Sequence, residues 1–194
     1  KGSSVTQQVT VYRDLNTPVI NGIIPTNGYL SNSATVKVSG NVSDASPTLV
    51  YVNDNLAIMD GTGFQYSLAL SADGGHPVTI KAQDQAGNVT VQTITVTTDT
   101  TPPAPFEITI NPADWTNNKQ PVVTFTTNDA TSGIDHFELA VDNQGFTKVT
   151  SPYTLPVLND GQRLIMVKAI DKAGWATTNT TPTYAYIDTT PPAI

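Results

Sequence analysis

The chain repeats itself. The stretch Tyr12-Arg-Asp-Leu-Asn-Thr-Pro18 returns as Thr97-Thr-Asp-Thr-Thr-Pro-Pro103 and again as Tyr186-Ile-Asp-Thr-Thr-Pro-Pro192, setting Asp14, Asp99 and Asp188 apart by 85 and 89 residues. That period is the length of one small β-sandwich, so the chain must be read as successive domains. A second element recurs upstream, as Lys81-Ala-Gln-Asp-Gln-Ala-Gly-Asn88 and Lys168-Ala-Ile-Asp-Lys-Ala-Gly-Trp175. Together the two elements set domain 1 at residues 14–98, domain 2 at 99–188 and a linker to a following repeat at 189–194. Residues 1–13 match the final strand of a repeat. They read either as the end of a preceding repeat or as a strand donated to a neighbouring subunit's sheet in a fibre. The 194 residues are expected to be a window on a longer array.

Within each period the apolar residues alternate, which marks strands with one buried face. Examples are Ala34-Thr-Val-Lys-Val38, Val89-Thr-Val-Gln-Thr-Ile-Thr-Val96 and His136-Phe-Glu-Leu-Ala-Val141. Turn formers such as Asn53-Asp-Asn55, Ala72-Asp-Gly-Gly75 and Asn159-Asp-Gly161 separate them. No window shows a convincing helical period, and 14 Pro with 13 Gly would punctuate any helix that tried to form. Six or seven short strands per period predict an all-β chain of two tandem Greek-key β-sandwiches.

Nine Lys and Arg against 16 Asp and Glu leave a net charge of −7, the wrong balance for a nucleic-acid binder that must displace counterions. The chain has no cysteine, which excludes disulfide scaffolds, thiolate metal sites and cysteine nucleophiles. No apolar run approaches the roughly 20 residues that a membrane helix needs, so no membrane insertion is expected.

The motifs carry a resemblance. Asp114-Trp-Thr-Asn117, Asn128-Asp-Ala-Thr-Ser-Gly-Ile134, Val167-Lys-Ala-Ile-Asp-Lys-Ala-Gly174 and Ile187-Asp-Thr-Thr-Pro-Pro192 make domain 2 similar to the tandem bacterial immunoglobulin-like repeats of large secreted and cell-surface proteins. Domain 1 resembles a sister type through Val52-Asn-Asp-Asn-Leu-Ala57, Gly63-Phe-Gln-Tyr-Ser-Leu68 and Ala82-Gln-Asp-Gln-Ala-Gly-Asn88. Trp175 stands where such repeats usually carry asparagine. The resemblance implies immunoglobulin-like sandwiches in an extracellular, cell-surface stalk, filament or adhesin. Its partners would be neighbouring repeats in the same chain or fibre, together with a surface glycan or protein receptor.

Chemistry is sparse. His76 and His136 lie in different domains without a nucleophile motif beside them, and both read as polar strand-end residues, so no catalysis is expected. The aspartates say more once topology is applied. In an immunoglobulin-like sandwich the chain arrives at the end that carries the loops after the second and sixth strands. This brings Asp14, Asp44 and Asp84 to one end of domain 1, and Asp99, Asp129 and Asp171, with Asn128, to the matching end of domain 2. Three oxygen ligands with loop carbonyls suit calcium, whereas three carboxylates without a cation repel. The resembled adhesins use calcium at their domain junctions, which implies Ca2+ here too. Against this stands the ordinary work of aspartate, whose side chain closes tight turns on backbone amides without any metal.

Among the aromatics, Trp115 is expected in a packing role, at the core or a hinge. Trp175 is the candidate ligand-binding residue: it either packs on the Thr100-Thr-Pro-Pro-Ala-Pro105 linker or offers a platform for a sugar ring. The leading expectation is therefore a non-catalytic structural repeat with calcium at its linkers. The alternative is a pair of glycan-binding or spacer modules beside an extracellular carbohydrate-active enzyme, which two or more coplanar exposed rings on one face would favour.

Overall fold

The structure is a computed structural model that describes Gln7 and residues 13–142 and 144–193. The expectation of a terminal or donated strand in residues 1–13 falls, apart from Gln7 and Arg13, outside the described residues. Every regular element among the described residues is a β-strand. Two compact units are formed, the change falling between Thr97 and Thr98, and the short segments 30–34 and 71–74 group with the second unit.

The first sandwich contains β1 (Val19–Ile24), β2 (Tyr29–Ser31), β3 (Thr35–Ser43), β4 (Thr48–Val52), β5 (Asn55–Leu56), β6 (Ile58–Asp60), β7 (Gly63–Ala69), β8 (Gly74–Asp84) and β9 (Val89–Thr98). One sheet runs β1-β3-β7-β6 and the other β2-β9-β8-β4-β5. This is the immunoglobulin arrangement of an ABED sheet facing a GFC sheet. The strand count exceeds the six or seven expected because the first strand breaks around Pro25, so that its parts, β1 and β2, join opposite sheets. The turn Asn53-Asp54 also folds β5 back on β4, with both residues at positive φ of 45° and 63°. Asparagine and aspartate tolerate that conformation better than other side chains.

The second sandwich contains β10 (Ile108–Asn111), β11 (Val122–Phe125), β12 (Ile134–Val141), β13 (Thr147–Val149), β14 (Tyr153–Thr154), β15 (Gly161–Asp171), β16 (Ala176–Thr178) and β17 (Thr183–Ile187). One sheet runs β10-β11-β14; in the other, β13-β12-β15 is extended by both β16 and β17 on the outer side of β15.

Each unit has its own core. Val38, Val50, Val52, Val78, Ile80 and Val96 fill the first, and Val123, Leu155, Ile165, Val167 and Ile187 the second. Alternation along the strands builds both. On β8 the inward residues are Val78, Ile80 and Ala82, and the next position of the same parity is Asp84. On β15 they are Ile165, Val167 and Ala169, and the next is Asp171. A two-residue period thus carries one aspartate per unit onto the buried face where the strand ends.

Candidate metal centres

The loop after β8 is a tight turn. The Asp84 amide donates to Asn88 O at 3.1 Å, and Gly87, at φ 96°, donates to Asp84 O at 3.2 Å. The loop after β15 is built the same way: Asp171 N to Trp175 O is 3.0 Å, Gly174 N to Asp171 O is 3.2 Å, and Gly174 has φ 91°. Tryptophan in place of asparagine leaves this backbone turn intact.

The two acidic triads come together. In the first unit one carboxylate oxygen from each of Asp14, Asp44 and Asp84 lies within 4.8 Å of the others, and the same is true of Asp99, Asp129 and Asp171 in the second. Oxygens on opposite sides of a calcium ion stand about 4.6–5.2 Å apart, given bonds of about 2.3–2.6 Å, so each triad has the span of a single ion.

The aspartates close turns as well. Asp44 Oδ1 takes the Ser46 amide at 2.9 Å and Asp14 Oδ1 the Asn16 amide at 3.0 Å. Asp129 Oδ1 gathers the amides of Thr131, Ser132 and Gly133 at 3.0, 2.8 and 3.0 Å. Asp99 Oδ1 takes Thr101 N at 3.2 Å and Asp171 Oδ1 takes Trp175 N at 2.9 Å. In all five the turn occupies Oδ1, and the other oxygen of each carboxylate decides what else the cluster does.

At that second oxygen the two clusters differ. Asp84 Oδ2 accepts Asn88 Nδ2 at 2.8 Å, and the same amide nitrogen reaches Asp14 O at 3.2 Å. In the second unit Trp175 Nε1 donates to the equivalent carbonyl, Asp99 O, at 3.0 Å. An indole has a single N–H, so nothing remains for the carboxylate. Asp99 Oδ2 and Asp171 Oδ2 are buried without a hydrogen-bond partner, in residues that are 0% and 1% exposed.

The carboxyls respond accordingly. Burial pushes Asp84 up, but the side-chain and backbone donors of Asn88, together with the Gly87 and Ala86 amides, outweigh it and hold the group below the ordinary aspartate range. Burial likewise pushes Asp171 up; the Trp175 amide opposes this, the negative charge of Asp99 adds to it, and the group ends above the ordinary range. Asp129 is held low because its three loop amides offset its burial.

Two further aspartates escaped the sequence reading. Asp73 binds the Thr100 amide at 2.8 Å and the hydroxyls of Thr100 and Thr101, just beyond β9. Asp160 does the same for Thr189, through its amide at 3.1 Å and its hydroxyl at 2.9 Å. The signal was present in the Asp-Gly of both turns and the Thr-Thr of both linkers, residues that read as turn and linker chemistry alone.

The aromatic expectations are partly corrected. Trp115 is 58% exposed and belongs to no core; it follows β10 and rests on Tyr186, with ring centroids 5.4 Å apart. Trp115, Tyr186 and Tyr184 form a chain of rings, but successive planes are inclined by 55° and 44°, so they offer no flat platform. Trp175 is 37% exposed and lies at the start of its linker through the bond to Asp99 O. His136 stands 2.5 Å from Asp135 Oδ2 in an open cleft of about 680 Å3 that also includes Lys148 and Ser151. The Ser151 hydroxyl oxygen accepts the Phe125 amide there at 3.0 Å.

Residues 19–100 match the protein-family model described as "Glucodextranase, domain B". No curated protein matches the sequence. Among solved structures, one of a 1.5-MDa bacterial ice-binding adhesin is similar at 18% identity and a TM-score of 0.50, over 91% of this chain and 67% of that one. Fibronectin(III)-like modules of Clostridium thermocellum CbhA align at 16% identity and a TM-score of 0.45, over 88% of this chain and 95% of that one. A tetra-tandem repeat from the extending region of a large adhesion protein aligns at 20% identity and a TM-score of 0.36, over 87% of this chain and 48% of that one. The chain is a tandem of immunoglobulin-like sandwiches.

Proposed function

We propose that the chain is a non-catalytic structural pair of repeats from an extracellular bacterial stalk, filament or adhesin, and that calcium fixes the segment leading into each sandwich onto that sandwich. One observation carries the calcium reading: two buried carboxylate oxygens, Asp99 Oδ2 and Asp171 Oδ2, have no partner inside a three-aspartate cluster. Leaving buried charge unpaired is costly, and a divalent cation is the compact way to satisfy it. With Asp99, Asp129 and Asp171 as ligands, the cation would bind the incoming linker to the loops after β11 and β15. Proline at positions 102, 103 and 105 already narrows the backbone freedom of that linker. The fold likeness to a bacterial adhesin is in keeping with a surface role, as is the acidic composition, which discourages sticking between like chains. Neighbouring repeats are the expected partners. A glycan-binding role, the second reading, would need a flat array of rings, and the inclination of Trp115, Tyr186 and Tyr184 speaks against it.

Thermal unfolding of the metal-stripped protein tests this, with calcium added and magnesium as the control. Calcium at about 100 times its Kd adds about 2.7 kcal/mol and raises the melting temperature. Magnesium, which demands a smaller octahedral cage, adds less. Asp99→Ala and Asp171→Ala should remove the part of the calcium shift that belongs to the second unit. A melting temperature indifferent to calcium would reduce these aspartates to turn formers.

A further inference from the structure

We infer that the residue closing the Asp-x-Ala-Gly turn, Asn88 in one unit and Trp175 in the other, ranks the two clusters, so that the Asp99, Asp129 and Asp171 cluster takes a divalent cation far more tightly than the Asp14, Asp44 and Asp84 cluster. The inference rests on the calcium reading above and goes beyond it by making the two ends unequal.

The argument is one of hydrogen-bond capacity. A primary amide carries two N–H groups, and Asn88 spends them on two oxygens of its cluster, the Asp14 carbonyl and Asp84 Oδ2. The Asn88 nitrogen thus stands among the oxygens as a neutral substitute for a cation, and an arriving ion must displace it. Trp175 supplies only the carbonyl bond, to Asp99 O, and leaves Asp171 Oδ2 unpaired. The backbone turn is the same in both units, so the difference lies in the side chain.

Burial acts in the same direction. The closing aspartates Asp84 and Asp171 are both buried and Asp44 and Asp129 both half-buried, but Asp99 is fully buried where its counterpart Asp14 is half-buried. Repulsion between unpaired carboxylates in a dry setting is relieved most by a cation there. The first cluster keeps its competing amide and more of its water.

The two glycines next to the variable residue, Gly87 and Gly174, report the sites separately. Their amides are followed by nuclear magnetic resonance while calcium is titrated into the metal-stripped protein. Gly174 should saturate at a calcium concentration at least about tenfold below that for Gly87. Trp175→Asn should move the Gly174 midpoint up toward that of Gly87. Asn88→Ala should move the Gly87 midpoint down, a gain of affinity that misfolding cannot imitate. If both glycines titrate together and neither substitution shifts a midpoint, the ranking is wrong while the calcium reading stands. If neither glycine responds to calcium, both fall.

Discussion

Gly40 lies against the ring of Phe64: a Cβ built on Gly40 would come within 2.7 Å of Phe64 Cζ and 3.1 Å of the Asn21 carbonyl oxygen. Both residues are buried, Gly40 on β3 and Phe64 opposite it on β7. The ring cannot retreat without disturbing a packed core, and the Asn21 backbone closes the other side. Gly40→Ala should therefore cost about 1–3 kcal/mol, the usual range for overpacking, read as a lower melting temperature by calorimetry. An unchanged melting temperature would mean that the first core is looser than its geometry implies.

Deleting atoms from either core should cost more. Ile80 and Ile165 are both fully buried, each in the middle of its own cluster. Ile80→Ala and Ile165→Ala should each lose about 2–5 kcal/mol in denaturant titrations, because a cavity remains where the side chain was.

Stability against pH should carry the mark of Asp171. Its carboxyl is raised in the folded, metal-free chain, so between the ordinary aspartate value and the raised one the native state holds the extra proton. The Asp171 contribution is then most favourable at low pH and declines as pH rises through that window. Other carboxyls, such as Asp84 and Asp129, are lowered and act in the opposite sense. The measurement is accordingly the difference between wild type and Asp171→Asn in metal-free buffer. The variant should gain on wild type as pH rises, and saturating calcium should reverse the order at neutral pH.

The threonine clamps predict a local effect. Asp73 and Asp160 are both held below the ordinary aspartate range, Asp73 foremost by the Thr101 hydroxyl and Asp160 foremost by the Thr189 amide. In Asp73→Ala the Thr100 amide should exchange its hydrogen about tenfold faster, with Thr189 unchanged, and Asp160→Ala should do the converse. Acidification through the lowered values should loosen both clamps in wild type. Equal exchange in wild type and variants would show that these bonds do not hold the linker.

Much of this was legible in the sequence for a geometric reason. Strict alternation on β8 and β15 fixes which face Asp84 and Asp171 occupy, and the repeat period fixes which loops they share with Asp14 and Asp99. The second oxygens were not legible, since the count of N–H groups on Asn88 and Trp175 matters only once their targets are known. Trp115 misled because indole area favours burial, yet the ring stays 58% exposed beside Tyr186, next to the bridge that Thr116 makes with Ile187 of β17. The clamps at Asp73 and Asp160 join positions 27 and 29 residues from their threonines, a pairing that no local pattern announces.

The segment Asp99-Thr100-Thr101 looks both ways along the chain. Its aspartate is shared with the loops that follow, at Asp129 and Asp171, and its threonines are held by a turn that precedes it, at Asp73. Asp188-Thr-Thr190 repeats the backward half with Asp160. All of these residues belong to the second unit, so three consecutive residues are anchored twice over within it.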